Sequence, residues 1–230
     1  MNFSLDPVSR TVMNVHIDAH SPKFEQWFLL SSDRHHDNAH TDWDLEKKHL
    51  DQCVERGAGI IDVGDLFCAM QGKWDKRADR SALREEYQYG QYLDRLVEVA
   101  TDFYSPYARQ FVLIGRGNHE TAICKRHETD LTERLTQALK TTTGEQVHAG
   151  GYGGWVRFIF KRTNTSKIRI NLKYFHGSGG GGPVTRGVIQ TNRMSVFLPD
   201  AHLVVSGHTH DQWQVPVSYT HLTLPTSLAV

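Results

Sequence analysis

The stretch Ile60-Ile61-Asp62-Val63-Gly64-Asp65-Leu66-Phe67 constrains the fold of this chain more than any other. An apolar run of strand type breaks at a glycine and delivers a carboxylate. Continuous apolar runs mark strands buried on both faces, and open α/β sheets place their ligand sites at the carboxyl ends of such strands. A lone Gly-Asp is also an ordinary turn signal. Its meaning depends on what the rest of the chain brings to the same edge.

Four more segments end in a similar way. Trp27 to Leu30 reads as a strand running toward Asp33 and His35, and Phe111 to Ile114 opens into Gly115-Arg116-Gly117-Asn118-His119-Glu120. Ile168, Ile170, Leu172 and Tyr174 alternate with polar residues and lead to His176. Leu203 to Val205 runs into Gly207-His208-Thr209-His210. Between them, Leu50, Cys53 and Val54 recur at helical spacing behind a capping-box pattern at Thr41 and Asp44, and that helix stops near Gly57. Leu93, Leu96, Val97 and Ala100 predict a second helix ended by Pro106, and Leu131, Leu135, Ala138 and Leu139 a third. Met13, Val15 and Ile17 form a half-buried strand, while Val156, Phe158 and Phe160 pair with 168–174 as an antiparallel hairpin. Residues 71–80 read as a surface loop and 184–197 as a further helix. The β-α-β opening predicts parallel pairing, and the later hairpin predicts a second sheet.

Composition excludes several classes. At 230 residues the chain suits one α/β domain. Lys plus Arg, at 26, equals Asp plus Glu, so the basic excess of a dedicated nucleic-acid binder is missing. Cys53, Cys68 and Cys124 are odd in number, widely spaced and without a C-x-x-C, which argues against a disulfide framework and fits a reducing compartment. No apolar run approaches the length of a membrane span, so a soluble, cytoplasmic protein without membrane partners is expected. The anomaly is the 14 histidines, several of them at predicted strand ends.

Each strand-end group has an ordinary explanation, as a solvated histidine or a turn residue, but those explanations must hold separately at five places. Metal binding accounts for Asp33, His35, Asp65, Asn118, His119, His176, His208 and His210 together. Imidazole, carboxylate and amide donors without thiolate suit Mn, Fe, Zn, Ni or Co rather than a structural cysteine-type zinc. The donors are too many for one ion. Two ions roughly 3.5–4 Å apart can clamp the attacking and leaving oxygens of a phosphoryl displacement. Two divalent ions carry four positive charges, and Asp33 and Asp65 remove two; the remainder suits a phosphate ester. A zincin protease is excluded, because Ile123 stands where His-Glu-x-x-His needs its second histidine.

The strings SDRHHDN, VGDLF, RGNHE, YFHG and SGHTH, in this order from about Phe28 to His210, resemble the motifs of the calcineurin-like metallophosphoesterase superfamily, in a minimal phage or bacterial form. The resemblance implies an α-β-β-α four-layer sandwich of two mixed sheets, in a bacterial or phage-infected cell. It implies one ion on Asp33, His35 and His210, a second on Asn118, His176 and His208, with Asp65 bridging; Mn²⁺ is the first expectation for both. It further implies that a water or hydroxide between the ions attacks the ester without a covalent intermediate, and that His119 is the general acid or a phosphate contact. Phosphodiester, nucleotide and phosphomonoester substrates stay open. The alternatives are a DNA or RNA nuclease of the same superfamily and a metal-binding scaffold without catalysis.

Departures from the family narrow this. Phe67-Cys68-Ala69-Met70 replaces the Asp-Arg-Gly continuation of protein serine/threonine phosphatases, and no Asp can be named that would orient His119. Arg116 could touch phosphate or serve packing, and Arg186 and Arg193 are further candidate substrate contacts. His36, Asp37 and His40 read as solvated loop residues in preference to partners of the ligands. The glycine run at 177–182 could cradle phosphate or simply give flexibility; without a following Lys-Ser/Thr it is no P-loop. From Val217 to Thr226 the chain resembles translated sequencing-adapter DNA, so residues 1–214 are read as the phosphoesterase domain and 215–230 as a non-native tail.

Overall fold

The computed structural model describes residues 3–21, 23–71, 75–76, 78–163, 165–179, 197–198, 200–210 and 214. Apolar runs made the strongest fold prediction, and they form a small sheet of three strands: β3 (Phe28–Ser31), β4 (Gly59–Asp62) and β5 (Phe111–Ile114), all parallel. Every residue of β4, the central strand, and of β5 beside it is buried, as in parallel strands covered on both faces. The second sheet orders its strands β1 (Phe3–Ser9), β2 (Val12–Asp18), β6 (Gly153–Lys161), β7 (Lys167–Phe175) and β8 (Leu203–Ser206). β1–β2 and β6–β7 are antiparallel, whereas β2–β6 and β7–β8 are parallel. Among the described residues only this sheet is mixed; the expectation of two mixed sheets is corrected there, because the helical crossovers between β3, β4 and β5 leave all three strands in one direction.

The inward faces of the two sheets meet. Met13, Val15 and Ile17 of β2, Val156 and Phe158 of β6, and Leu172 and Tyr174 of β7 join Ile61, Val63, Val112 and Leu113 in one core. The other face of the small sheet carries Ile60, Phe111 and Ile114 into a second core. The helices α1 (Trp43–Glu55), α2 (Tyr92–Tyr104), α3 (Asn118–His127) and α4 (Leu131–Thr143) contribute Leu50, Leu96, Tyr104, Ile123 and Leu135 to it. Among the described residues this is helix, small sheet, large sheet: a mixed α/β arrangement.

Local chemistry shifts several predicted boundaries. α1 is capped by Asp42, whose side chain accepts from Leu45 N, so the Thr41–Asp44 capping box is one residue out of place. The Thr41 hydroxyl instead donates to the Arg34 and His35 carbonyls. The buried stripe of α1 is Glu46, Leu50 and Cys53, while Val54 is exposed. The strand β1 was not anticipated; it is an edge strand with Pro7 at its register irregularity, where a missing N–H costs nothing. Nor was α3, which begins at Asn118, directly after Gly115-Arg116-Gly117. Apart from 197, the helix expected over 184–197 lies outside the described residues, as does 215–230.

Candidate metal centre

The loops after β3, β4 and β5 are sewn together before any side chain is considered. Val63 N donates to Ser31 O at 2.8 Å, Asp33 N to Gly64 O at 2.9 Å, His35 N to Asp65 O at 3.1 Å and His36 N to Leu66 O at 2.8 Å, so the β3–β4 ladder runs on past the strand ends. Gly64 makes this approach possible. Its φ is +114°, and a Cβ there would collide with the backbone of Arg116 and Gly117. Glu120, in the first turn of α3, closes the third side. Its buried side chain accepts Gly117 N at 2.8 Å, Phe67 N at 2.9 Å and Asp65 N at 3.2 Å.

Seven non-glycine residues among those described have positive φ, and five of them are Asp33, His35, Asp65, His208 and His210. Left-handed backbone is uncommon outside glycine and clusters where a function holds it in place. The turns aim side chains from separate strands at one place. Asp33, His35 and His210 each offer a ligand atom within 4.8 Å of the others, and so do Asp65, His176 and His208. In the first group His210 Nε2 lies 3.3 Å from His35 Nε2 and 3.3 Å from Asp33 Oδ1. In the second, one end of the Asn118 amide lies 3.1 Å from Asp65 Oδ2, 2.6 Å from His208 Nδ1 and 3.0 Å from His176 Nε2. The Asp33 carboxylate also accepts His208 N at 2.8 and 3.1 Å, tying the two groups together.

Backbone carbonyls fix which imidazole nitrogens face these groups. His176 Nδ1 is 3.2 Å from Val63 O, and His119 Nδ1 contacts Cys68 O. A carbonyl only accepts, so each Nδ1 carries the hydrogen, and in the neutral ring Nε2 presents its lone pair. His176 Nε2 then meets Asp65 Oδ2 at 3.1 Å and the Asn118 amide at 3.0 Å, so lone pairs of Asp65, His176 and His208 converge on one point. Such a point can take the Asn118 NH2, a proton or a cation. Burial alone would raise the Asp65 carboxyl and lower the His176 imidazole, but their mutual contact reverses both: Asp65 sits below, and His176 above, its ordinary value. Burial and the neighbouring His119 charge hold His35 below the usual histidine value. Burial and Asp65 together push Glu120 up to about 8.

The donor set therefore fits divalent ions, and the expected ligands come together as two groups. His119 stands beside both, with Nε2 3.6 Å from Asp65 Oδ2 and its ring edge-on to His35. The group that orients it is the Cys68 carbonyl, which no side-chain motif could reveal. Arg116 is tied to Asp130, the N-cap of α4, so its guanidinium is held by a structural ion pair. The solvated reading of His36 and Asp37 is overturned: both are buried. Asp37 accepts Cys68 N at 2.6 Å, Ala69 N at 3.1 Å and the Tyr92 hydroxyl at 2.8 Å, and His36 Nδ1 meets Glu46 Oε2 at 3.0 Å. His40 is exposed, as a solvated loop residue is. Arg186, Arg193 and residues 180–182 of the glycine run lie outside the described residues.

Sequence reading also passed over a buried charge network beneath the centre. Arg34 donates to Asp62 at 2.8 Å, Glu46 at 2.6 Å and the Ser31 hydroxyl at 2.9 Å. Its mark in the sequence was a charge beside each apolar strand end. A cavity of about 850 Å³ opens beside the first group, with Asp33, His35, His119 and His210 on one wall and Leu29, Leu45 and Met70 among its other lining residues. No protein-family model, curated protein or solved structure matches the chain.

Proposed function

We propose that this chain is a dinuclear metal-dependent hydrolase of phosphoric esters, of the calcineurin-like metallophosphoesterase type. The observation that carries the reading is the convergence of seven donors from five strand ends into two adjoining groups, held by five left-handed residues. Asp33, His35 and His210 would hold one divalent ion, and Asn118, His176 and His208 the other, with Asp65 shared. Once bound, Mn²⁺ or a similar ion would supply Lewis-acid charge and acidify a water. The protein's own part is positional. Val63 O keeps His176 Nε2 turned to its ion, and Cys68 O keeps His119 Nε2 turned outward, where it can hold a proton for the leaving oxygen. The described layers support the four-layer sandwich of that superfamily.

The cavity favours a small ester with an apolar body over a polyanionic strand. Leu29, Leu45 and Met70 line it, and Arg34, the cation among its lining residues, is already neutralised by Asp62 and Glu46. The test is turnover of aryl phosphomonoesters and phosphodiesters with added Mn²⁺. Activity should vanish with excess chelator and return with metal; turnover that resists the chelator would refute the mechanism.

A further inference from the structure

The thiol of Cys68 belongs to neither of the two ligand groups, yet it lies against both the candidate acid and the first group. Ligand atoms of Cys68, His35 and His119 all fall within 4.8 Å of one another. We propose that these three residues form a third, inhibitory site for a soft divalent ion such as Cd²⁺ or Zn²⁺. The inhibitory consequence rests on the phosphoesterase reading; the binding site does not.

Position is the first argument. The Cys68 backbone is pinned, because the buried Asp37 carboxylate accepts both Cys68 N and Ala69 N and is itself held by Tyr92. Ala69 adopts a φ of +50°, which turns the chain sharply after the cysteine. The thiol is thus delivered by a built turn. The Asn38 amide donates to Sγ at 3.7 Å.

The second argument is the state of the two imidazoles. His119 gives its Nδ1 hydrogen to the Cys68 carbonyl, which leaves Nε2 as its ligand atom. His35 Nδ1 is buried and makes no hydrogen bond, while its Nε2 faces His210. The two rings stand edge to face with centroids 5.0 Å apart. Bonds of about 2.3 Å to sulfur and 2.0–2.1 Å to nitrogen set ligand separations of roughly 3.3–3.7 Å around a tetrahedral ion. Shifts of about an ångström or less close the site, and solvent can complete the coordination.

Ligand softness separates this site from its neighbours. The two groups around Asp33 and Asp65 contain only nitrogen and oxygen donors, which suits Mn²⁺; thiolate selects soft ions. Binding converts Cys68 S–H plus M²⁺ into a Cys68 S–M bond and one proton released to solvent. The ion would hold the lone pair that His119 needs to carry a proton, and it would compete for His35.

The experiment titrates the full-length chain with Cd²⁺ and reads the thiolate-to-cadmium charge-transfer absorption. The parent and Cys124→Ser should show a saturable band, Cys68→Ser should lack it, and His119→Gln should weaken the apparent affinity at least about tenfold. A band that survives in Cys68→Ser, one that is lost only in Cys124→Ser, or no band in the parent overturns the site. In a second arm, Cd²⁺ should suppress Mn²⁺-supported ester turnover in the parent, while Cys68→Ser keeps most of its own rate; equal inhibition of both overturns the regulatory claim. If no preparation turns over any ester, the phosphoesterase reading fails and the absorption band still decides the site.

Discussion

Asp65 and His119 touch each other, yet they should fail in different ways. Asp65 is buried, takes His119 N at 2.9 Å on one carboxylate oxygen and faces His176 with the other. Asp65→Asn removes the charge proposed to serve both ions, so metal content and turnover should fall together. His119→Ala should lower turnover by about 10²–10⁴-fold with metal content intact, the range for a positioned general acid. Metal analysis of the two purified variants decides; equal loss of metal would remove His119 from the acid role. Glu120→Gln should act through the loops. Above about pH 8, where the Glu120 carboxyl is ionised, it replaces a two-oxygen acceptor of three buried N–H groups with an amide, stranding a donor at a cost of about 1–3 kcal/mol. Urea unfolding measures this, and a change within error would mean that the loops are held by other contacts. At this scale the sequence told much, because Asp33, His35, Asp65, Asn118, His176, His208 and His210 all stand just beyond apolar runs. It was silent on the Cys68 carbonyl, since every residue has one, and on Asp37 and Glu120, whose partners include backbone N–H groups 31 to 55 positions away.

Between α1 and the small sheet the chain buries charge, where apolar packing would have been simpler. Arg34 bridges Glu46 of α1 and Asp62 at the end of β4, and the Tyr104 hydroxyl of α2 joins through Glu46. Burial alone would raise the Glu46 carboxyl, but His36 and Arg34 outweigh it and hold Glu46 at about 2 against an ordinary 4.5. The folded value is the lower one, so this stability is present above pH 4.5 and is lost as pH falls toward 2. The full difference amounts to about 3 kcal/mol. Glu46→Gln should therefore unfold in less urea than the parent at pH 7, with the gap narrowing as both are acidified. A gap that stays constant down to pH 2 would assign the loss to packing. Breaking the network from the other side, Arg34→Met should cost about 3–5 kcal/mol, because Asp62 and Glu46 then remain buried without their cation. The elements themselves were legible from periodicity, whereas this network was not. Leu50 and Cys53 are buried as their spacing suggests, but Val54 is not: α1 is rotated so that Glu46 turns inward, toward its tertiary ion pairs.

Across the whole molecule, the two ligand groups lie at the strand ends of two sheets packed face to face. Asp33, His35, Asp65 and Asn118 come from the loops of the small sheet, while His176, His208 and His210 come from the large one. The parallel pairing of β3 with β4 and the β6–β7 hairpin could be read from apolar runs and alternation; β5 joins the first pair in the same direction, and the strand ends come to one side. The pairing of β2 with β6 joins residues more than 140 positions apart, and no local pattern announces it. Each proposed ion draws on donors from both sheets, so bound metal should stabilise the domain as a unit. For one site, metal at a hundred times its dissociation constant adds about 2.7 kcal/mol. A domain of this size gains roughly 2–4 °C in Tm per kcal/mol, so Mn²⁺ should raise Tm by about 5–11 °C per occupied site, and chelator should reverse it. Asp65→Asn should lose most of the rise, whereas His119→Ala should keep it. Calorimetric scans of the three proteins with and without Mn²⁺ measure this directly. A rise of equal size in Asp65→Asn would mean that the metal binds somewhere other than across the two sheets.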